Sequence, residues 1–237
     1  MSVARTVLNR IKRGGEDRLW TYKDFADLPS LAVAAALSRL TKRGRIRRVQ
    51  KGVYYVPRVT RFGTTNPDLP SVVAAVLTRR GIAWSSTGHA AYNRLGLTTQ
   101  VSPTTTFAVS QKVRLAFAGP NTKLSVRPAA AVRSASADER AVLDALRDVR
   151  WIPDTTPENV IARVSDLFRS NRISFERVAH FARREPPRVR AVLGAIGSSI
   201  VADRNILEEL KGSLNPMTHF SLGLSDKLAT AREWNIR

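Results

Sequence analysis

Apolar positions in the first sixty residues change period along the chain. Val3, Val7, Leu8 and Ile11 recur at helical spacing and define a first helix, ended by Gly14-Gly15. Trp20 opens a short segment in which Thr21 and Asp24 have the spacing of a capping box. Phe25 and Leu28 then form the buried side of an expected second helix. Pro29 stops it, and Ser30 is placed to cap the third, LAVAAALSRLTKR, where Val33, Leu37 and Leu40 share a face. After Gly44 the period shortens. Residues 46–49 and 53–56 read as two strands joined near Gln50-Lys51-Gly52, and Pro57 ends the second. Helix, helix, Pro-Ser turn, Ala-rich helix, Gly and hairpin is the order of a winged helix-turn-helix. In that architecture the helix after the turn enters the major groove and the hairpin is the wing.

The rest of the chain reads differently. Residues 60–70 are polar and rich in Gly, Asn and Pro, a connector. Ser71 is placed to cap SVVAAVLTRR, and a second helix follows over 87–95, closed by Gly96. TTTFAVS, KVRLAFAG and KLSVRP are strand-like, with turns at Gln111 and at Gly119-Pro120-Asn121. From Ser136 the pattern is helical: ADERAVLDALRDV, PENVIARVSDLFRSN, SFERVAHFARR, PRVRAVLGAIGSSI and 203–211, with LSDKLATAREWNI as a last helix. The expectation is an α+β chain. A winged helix-turn-helix over 1–61 precedes a second domain over 68–237, mixed α/β at 68–133 and mainly helical at 134–237.

Charge sharpens this division. The chain has 39 Lys and Arg against 19 Asp and Glu, a net charge of +20. Residues 1–61 hold fifteen cations and four acids, 62–133 eight and one, and 134–237 sixteen and fourteen. Such an excess points to nucleic acid or another anionic partner. It peaks in KRGRIRRVQKGVYYV, with six cations before Gly52. The absence of cysteine excludes disulfides and thiolate metal sites and fits a reducing cytoplasm. No apolar run approaches the roughly 20 residues that span a bilayer, and MSVARTVLNRIKRGGEDR lacks the apolar core of a signal peptide, so a cytoplasmic protein without a membrane role is expected.

The candidate DNA-binding residues follow from the helical face. With Val33, Leu37 and Leu40 inward, Ala32 and Ala35 point outward near the start of the third helix; these cannot make bidentate base contacts but could touch thymine methyls. Arg39 is the residue best placed to reach a guanine edge, while Lys42 and Arg43 would hold phosphates. On the wing the candidates are Arg45, Arg47, Arg48 and Lys51, one of which could instead pair with Asp24 or Asp27. Of Tyr54 and Tyr55, one is expected in the core and the other is a candidate phosphate ligand. Lys12 and Arg13, ending the first helix, could clamp the backbone. Catalytic readings find little: His89, His180 and His219 are far apart, and HExxH, P-loop and Rossmann patterns do not occur. Ser85 and Ser86 lie near His89 without an acid partner in sequence, and Asp154 with Glu209 and Lys211 makes only a weak case for a metal nuclease. No catalytic residue, metal or cofactor is expected.

Two stretches also resemble a known family. LSRLTKRGRIRRVQKGVYYVP ends in a G-x-Y-x-x-P pattern, and STGHAAYNRLGLTTQVSPTTTFAV contains A-x-x-x-L-G-L-T-x-Q-V-x-P ahead of a strand. Together with DERAVLDALRDV they make residues 1–150 similar to the AbiEi antitoxins of type IV toxin–antitoxin systems, nearest the DUF6088 branch. The resemblance implies a DNA-binding repressor of its own operon. It implies that the C-terminal part neutralises a nucleotidyltransferase-type toxin, without a stable complex being required, and that catalysis does not belong to this chain. Its winged-helix cations carry over onto Arg39, Lys42, Arg43, Arg45, Arg47, Arg48 and Lys51. The alternative is a winged-helix regulator with a ligand-sensing or oligomerising C-terminal domain and no toxin partner.

Overall fold

In the computed structural model, which describes residues 2–16, 18–61, 63–115, 121–223 and 228–237, the apolar stripe of the first helix buries Val7 and Ile11. This helix, α1 (Val3–Gly14), is capped by Ser2, whose hydroxyl accepts from Arg5 N at 3.4 Å. Strand β1 (Leu19–Thr21) follows, then a single 310 turn (Tyr22–Phe25), then α2 (Ser30–Lys42). The chain continues through β2 (Arg47–Gln50), β3 (Val53–Tyr55), the small hairpin β4 (Val59–Thr60) and β5 (Gly63–Thr64), and α3 (Leu69–Arg79). Strand β3 lies between β1 and β2, antiparallel to both. The core under it gathers Val7, Ile11, Trp20, Phe25, Val33, Leu37 and Ile46. Trp20 and Phe25 stack with centroids 5.6 Å apart.

Several local expectations change here. The second helix is one 310 turn: Thr21 N and Oγ1 both donate to Asp24 Oδ2, at 2.7 and 3.0 Å, which closes the turn. Pro29, not Ser30, occupies the N-cap of α2, and Ser30 is already helical. Strand β1 has only three residues, too few for periodicity to reveal it; pairing with β3 creates it. The connector at 60–70 contains the β4–β5 hairpin. Asp68, not Ser71, caps α3, accepting from Ser71 N at 2.8 Å.

The chain divides into two compact units at a different place from the expected one. The first unit is residues 1–82 with a short return that includes Arg114 and Leu115; the second is the remainder. Helix α3, expected in the second domain, therefore belongs to the first unit, where Lys23 Nζ donates to Thr78 O at 2.7 Å.

In the second unit, β6 (Trp84–Thr87), α4 (His89–Leu95), β7 (Thr105–Val109) and β8 (Thr122–Val126) come first. The sheet order is β6-β7-β8, antiparallel then parallel. Gly96 ends α4 in the left-handed conformation at φ 71°, where glycine carries no Cβ penalty. Helices α5 (Ala129–Ser134), α6 (Ala137–Arg147), α7 (Pro157–Arg169), α8 (Phe175–Ala182), α9 (Pro187–Ser199) and α10 (Arg204–Gly212) follow. Helix α9 is largely apolar and buried along most of its length, and Gly194 leaves room for the ring of Trp234 where a Cβ would collide. Strand β6 and helix α5 were not anticipated. Residues 112–115, expected as strand, are not one; the remainder of that segment and the Gly119-Pro120 part of the expected turn lie outside the described residues. The tail forms a 310 turn (Arg232–Trp234) instead of a helix, and its residues 224–227 also lie outside them. Among the described residues no helix is long and apolar enough to cross a membrane.

Candidate nucleic-acid interface

Burial of Val33, Ala36, Leu37 and Leu40 turns one face of α2 inward. The opposite face runs Leu31, Ala35, Ser38, Arg39, Lys42, all exposed and spaced three, four or eleven residues apart, hence one stripe. Its first half is apolar and its second half cationic. No acidic residue occupies the first turn, and the N-cap residue makes no side-chain bond. Arg39 bends back so that its Nε donates to Ala35 O at 3.2 Å.

The outward residues near the helix start were expected to be Ala32 and Ala35. Ala35 is exposed, but Ala32 is half-buried and Leu31 dominates, with 87 % of its surface accessible. Sequence pattern missed it because a leucine close to Val33 in an alanine-rich run reads as core. The available signal was geometric: with Val33 and Leu37 fixed inward, position 31 falls on the far side.

Past Gly44, Ile46 plugs the core at 1 % exposure and the chain enters β2. Register pairs Arg47 with Tyr55 and Arg48 with Tyr54, and a bulge at Val49 brings Gln50 opposite Val53. Strand β2 is an edge strand, and Arg47, Arg48 and Val49 are all exposed. Charge on an edge strand also blocks pairing with other chains. Here the same segment adds Arg45 and Lys51, and the end of α2 adds Arg39, Lys42 and Arg43, so seven exposed cations lie within thirteen residues.

None of these seven, nor Lys12 or Arg13, forms an ion pair among the described residues. The suggestion that Asp24 or Asp27 neutralises a β2 arginine is corrected. Arg10 grips Asp27 with two bonds of 2.7 and 2.8 Å, and Arg18 reaches Asp24 at 3.3 Å. The Arg10 hydrogen bonds hold the Asp27 carboxyl at about 2. The phosphate-binding tyrosine is corrected too: Tyr54 and Tyr55 are 6 % and 3 % exposed. Tyr55 donates to Asn66 Oδ1 at 2.9 Å, and Tyr54 packs edge-on to Tyr22 while burial pushes its hydroxyl up to about 12. Tyr54 belongs to the core cluster under the sheet, and Tyr55 on the other face is closed over at Asn66. Lys12 and Arg13 sit in the last turn of α1, apart in sequence from the other seven. Arg13 shares a recess of about 420 Å3 with Arg10, Arg18 and Trp20.

The second unit uses its charges differently. Register aligns Thr87, Thr106 and Lys123 across the sheet, a polar row. Beside it Arg127 Nε donates to the buried Asp144 at 2.7 Å and Nη1 donates to Ser125 at 2.6 Å; Thr87 also donates to Asp144. Tyr92 donates to Asp148 at 2.8 Å, and Arg147 pairs with the buried Glu185. Glu139, buried in the capping box of α6, receives Arg177. A cavity of about 490 Å3 opens on this polar row, with Arg127, Arg147 and the exposed Trp151 in its wall. His89 lines it, while His180 and His219 are exposed elsewhere. Ser85 is buried with no partner for its hydroxyl, and Glu209 is held by Arg183 at 2.8 Å. Among the described residues no three His, Cys, Asp or Glu side chains gather as metal ligands would.

Comparison with known proteins adds fold and little more. The model of a family of unknown function, DUF6088, matches residues 6–115, which cover most of the first unit and the Leu95-Gly96-Leu97-Thr98 motif. The fold is similar to that of the RV2827C protein from Mycobacterium tuberculosis, with a TM-score of 0.50 and 14 % identity over 92 % of this chain and 83 % of that one. No curated protein matches.

Proposed function

We propose that residues 1–61 act as a winged helix-turn-helix, with α2 as the recognition helix and the β2–β3 hairpin as the wing. On this reading the chain is an antitoxin that binds double-stranded DNA at its own promoter and represses its operon. One observation carries the DNA-binding part. Seven cations from Arg39 to Lys51 are exposed and none is paired with an acid among the described residues. Like charges held this close repel one another. A phosphate backbone relieves that repulsion, and release of its counterions supplies affinity. Arg39 faces the bases, Lys42, Arg43, Arg45, Arg47, Arg48 and Lys51 hold phosphates, and Lys12 with Arg13 clamp the flank.

The antitoxin part rests on the likeness to AbiEi proteins described above. It assigns neutralisation of a nucleotidyltransferase-type toxin to the second unit, with no stable complex assumed and no catalysis or cofactor in this chain, acting in the cytoplasm. Two measurements test the whole. Duplex from upstream of the gene, titrated between about 50 and 200 mM salt, should lose affinity linearly on a log–log plot and outcompete random duplex. Co-expression should rescue growth from the product of the adjacent gene. A flat salt response removes the DNA reading; absence of rescue removes the antitoxin reading.

A second reading, a winged-helix regulator with a ligand-sensing second unit and no toxin, is favoured by the cavity of about 490 Å3, a size typical of small-molecule sites. A neighbouring gene with no toxic effect on expression would decide for it.

A further inference from the structure

We infer that Leu31 reads thymine methyl groups, so that this chain selects its DNA by apolar contact at the tip of α2. The inference rests on the DNA-binding reading above and goes beyond it by naming the base feature recognised.

Leu31 lies one residue inside the N-terminus of α2 and is 87 % exposed. Polar or acidic residues serve a first helical turn better, because they satisfy or complement its free N–H groups. This helix has none there apart from Ser30. Single exposed apolar residues are ordinary on protein surfaces. Leu31 differs in its setting. It heads the stripe that continues through Ala35 to Arg39 and Lys42, so an apolar tip is followed on the same face by cations. A partner that satisfies both halves must be anionic and yet offer a small apolar group. In B-DNA the phosphates supply the charge, and the C5-methyl of thymine is the apolar group displayed in the major groove. Recognition helices present their N-terminal residues to base edges, and that is where Leu31 stands. Bidentate hydrogen-bonding side chains are missing from the first two turns of α2, which leaves methyl contact as the direct readout available there.

The test uses deoxyuridine, which pairs as thymine does but lacks the methyl. The full-length protein first selects its preferred duplex from a randomised pool. Each thymine of that duplex is then replaced singly by deoxyuridine, and affinities are measured at one salt concentration for wild type and Leu31→Ala. Because Leu31 is almost wholly exposed, the variant should melt with the wild type, which circular dichroism checks. At one or two positions the wild type should lose about fourfold in affinity per methyl removed, the amount expected for one buried methyl group. Leu31→Ala should bind the thymine and deoxyuridine duplexes equally while keeping the wild-type salt slope. Wild-type binding that is steeply salt-dependent yet indifferent to every replacement overturns this assignment and leaves the DNA reading standing. Retention of the wild-type thymine preference by Leu31→Ala overturns it as well. If no duplex is bound at all, the DNA reading fails and the assignment falls with it.

Discussion

Arginine does opposite jobs in the two units. The first unit carries 18 Lys and Arg against five Asp and Glu, and its longest run of cations faces solvent with no acid attached. The second carries 21 against 14 and ties several arginines to carboxylates that are themselves buried: Arg127 to Asp144, Arg147 to Glu185, Arg177 to Glu139. Net charge alone would call both units basic. Pairing separates them. A cation beside a buried carboxylate is part of the fold, whereas a cation left unpaired on an edge strand and a helix end is available to a partner. The contrast reaches into the first unit too, where Arg10 and Arg18 are committed to Asp27 and Asp24 and so drop out of the candidate surface.

The largest effect expected from this contrast is on stability. Arg127→Met leaves Asp144 buried with Thr87 as its remaining side-chain donor, and removal of one partner of a buried pair costs about 3–5 kcal/mol. Chemical denaturation should show that loss. Arg204→Met, breaking the exposed pair with Glu208, should barely move the same curve. Equal losses in the two variants would erase the distinction between structural and available arginines.

Next comes affinity. Replacing Lys42, Arg43, Arg47 and Arg48 together by alanine should leave folding intact, since all four are exposed, and weaken binding to every duplex by roughly a hundredfold or more at physiological salt. The log–log salt slope should fall by about 0.9 for each phosphate that the variant no longer neutralises. An unchanged slope would mean that these residues face water in the complex. Arg39→Ala should act more narrowly, costing about 1–3 kcal/mol on the selected duplex and much less on random DNA. A ratio of selected to random binding that stays at its wild-type value would take Arg39 off the bases.

Much of this was legible in the sequence, and the exceptions share a cause. Helices α6 to α10 were recovered nearly to their ends because each carries recurring apolar residues and a Ser, Thr, Asp or Pro start signal. Strands β1 and β6 were not, because three or four residues hold too little period and exist through their partners: Trp20 opposite Tyr54, Ser86 opposite Phe107. The same limit applied to the site. All nine candidate cations are exposed, as composition and spacing suggested, but what pairs with Asp24 and Asp27 depends on how α1 packs on the 310 turn. Tyr54 and Tyr55 do alternate, but Asn66, further along the chain, returns to bond Tyr55 on the face opposite the core. Leu31 reads as core when its identity is weighed before its position. The polar row Thr87, Thr106, Lys123 joins residues from three strands and has no signature in any one of them.

The smallest expected effect lies in two glutamates of the second unit that titrate in opposite senses. Burial alone would raise the Glu139 carboxyl, but bonds from Arg177 and the Ser136 N–H overcome it and hold the group below its usual value of 4.5. The stability it contributes is present above that value and is lost as pH falls through the folded pKa. Burial raises Glu185 above 4.5, and Arg147 only partly opposes it. The folded state therefore binds that proton more tightly than the unfolded chain, and stability declines as pH rises upward from 4.5 through the folded pKa. Urea denaturation from acid to neutral pH separates them. Relative to wild type, Glu139→Gln should be less stable at neutral pH, with the difference closing as the solution is acidified. Glu185→Gln should gain on wild type as pH rises from 4.5. A wild type that instead gains on Glu185→Gln as pH rises through 4.5 would mean that Arg147 keeps this carboxylate ionised in the folded state. The second unit's ion pairs would then be uniformly closed, and its contrast with the open cations of the first unit would be sharper still.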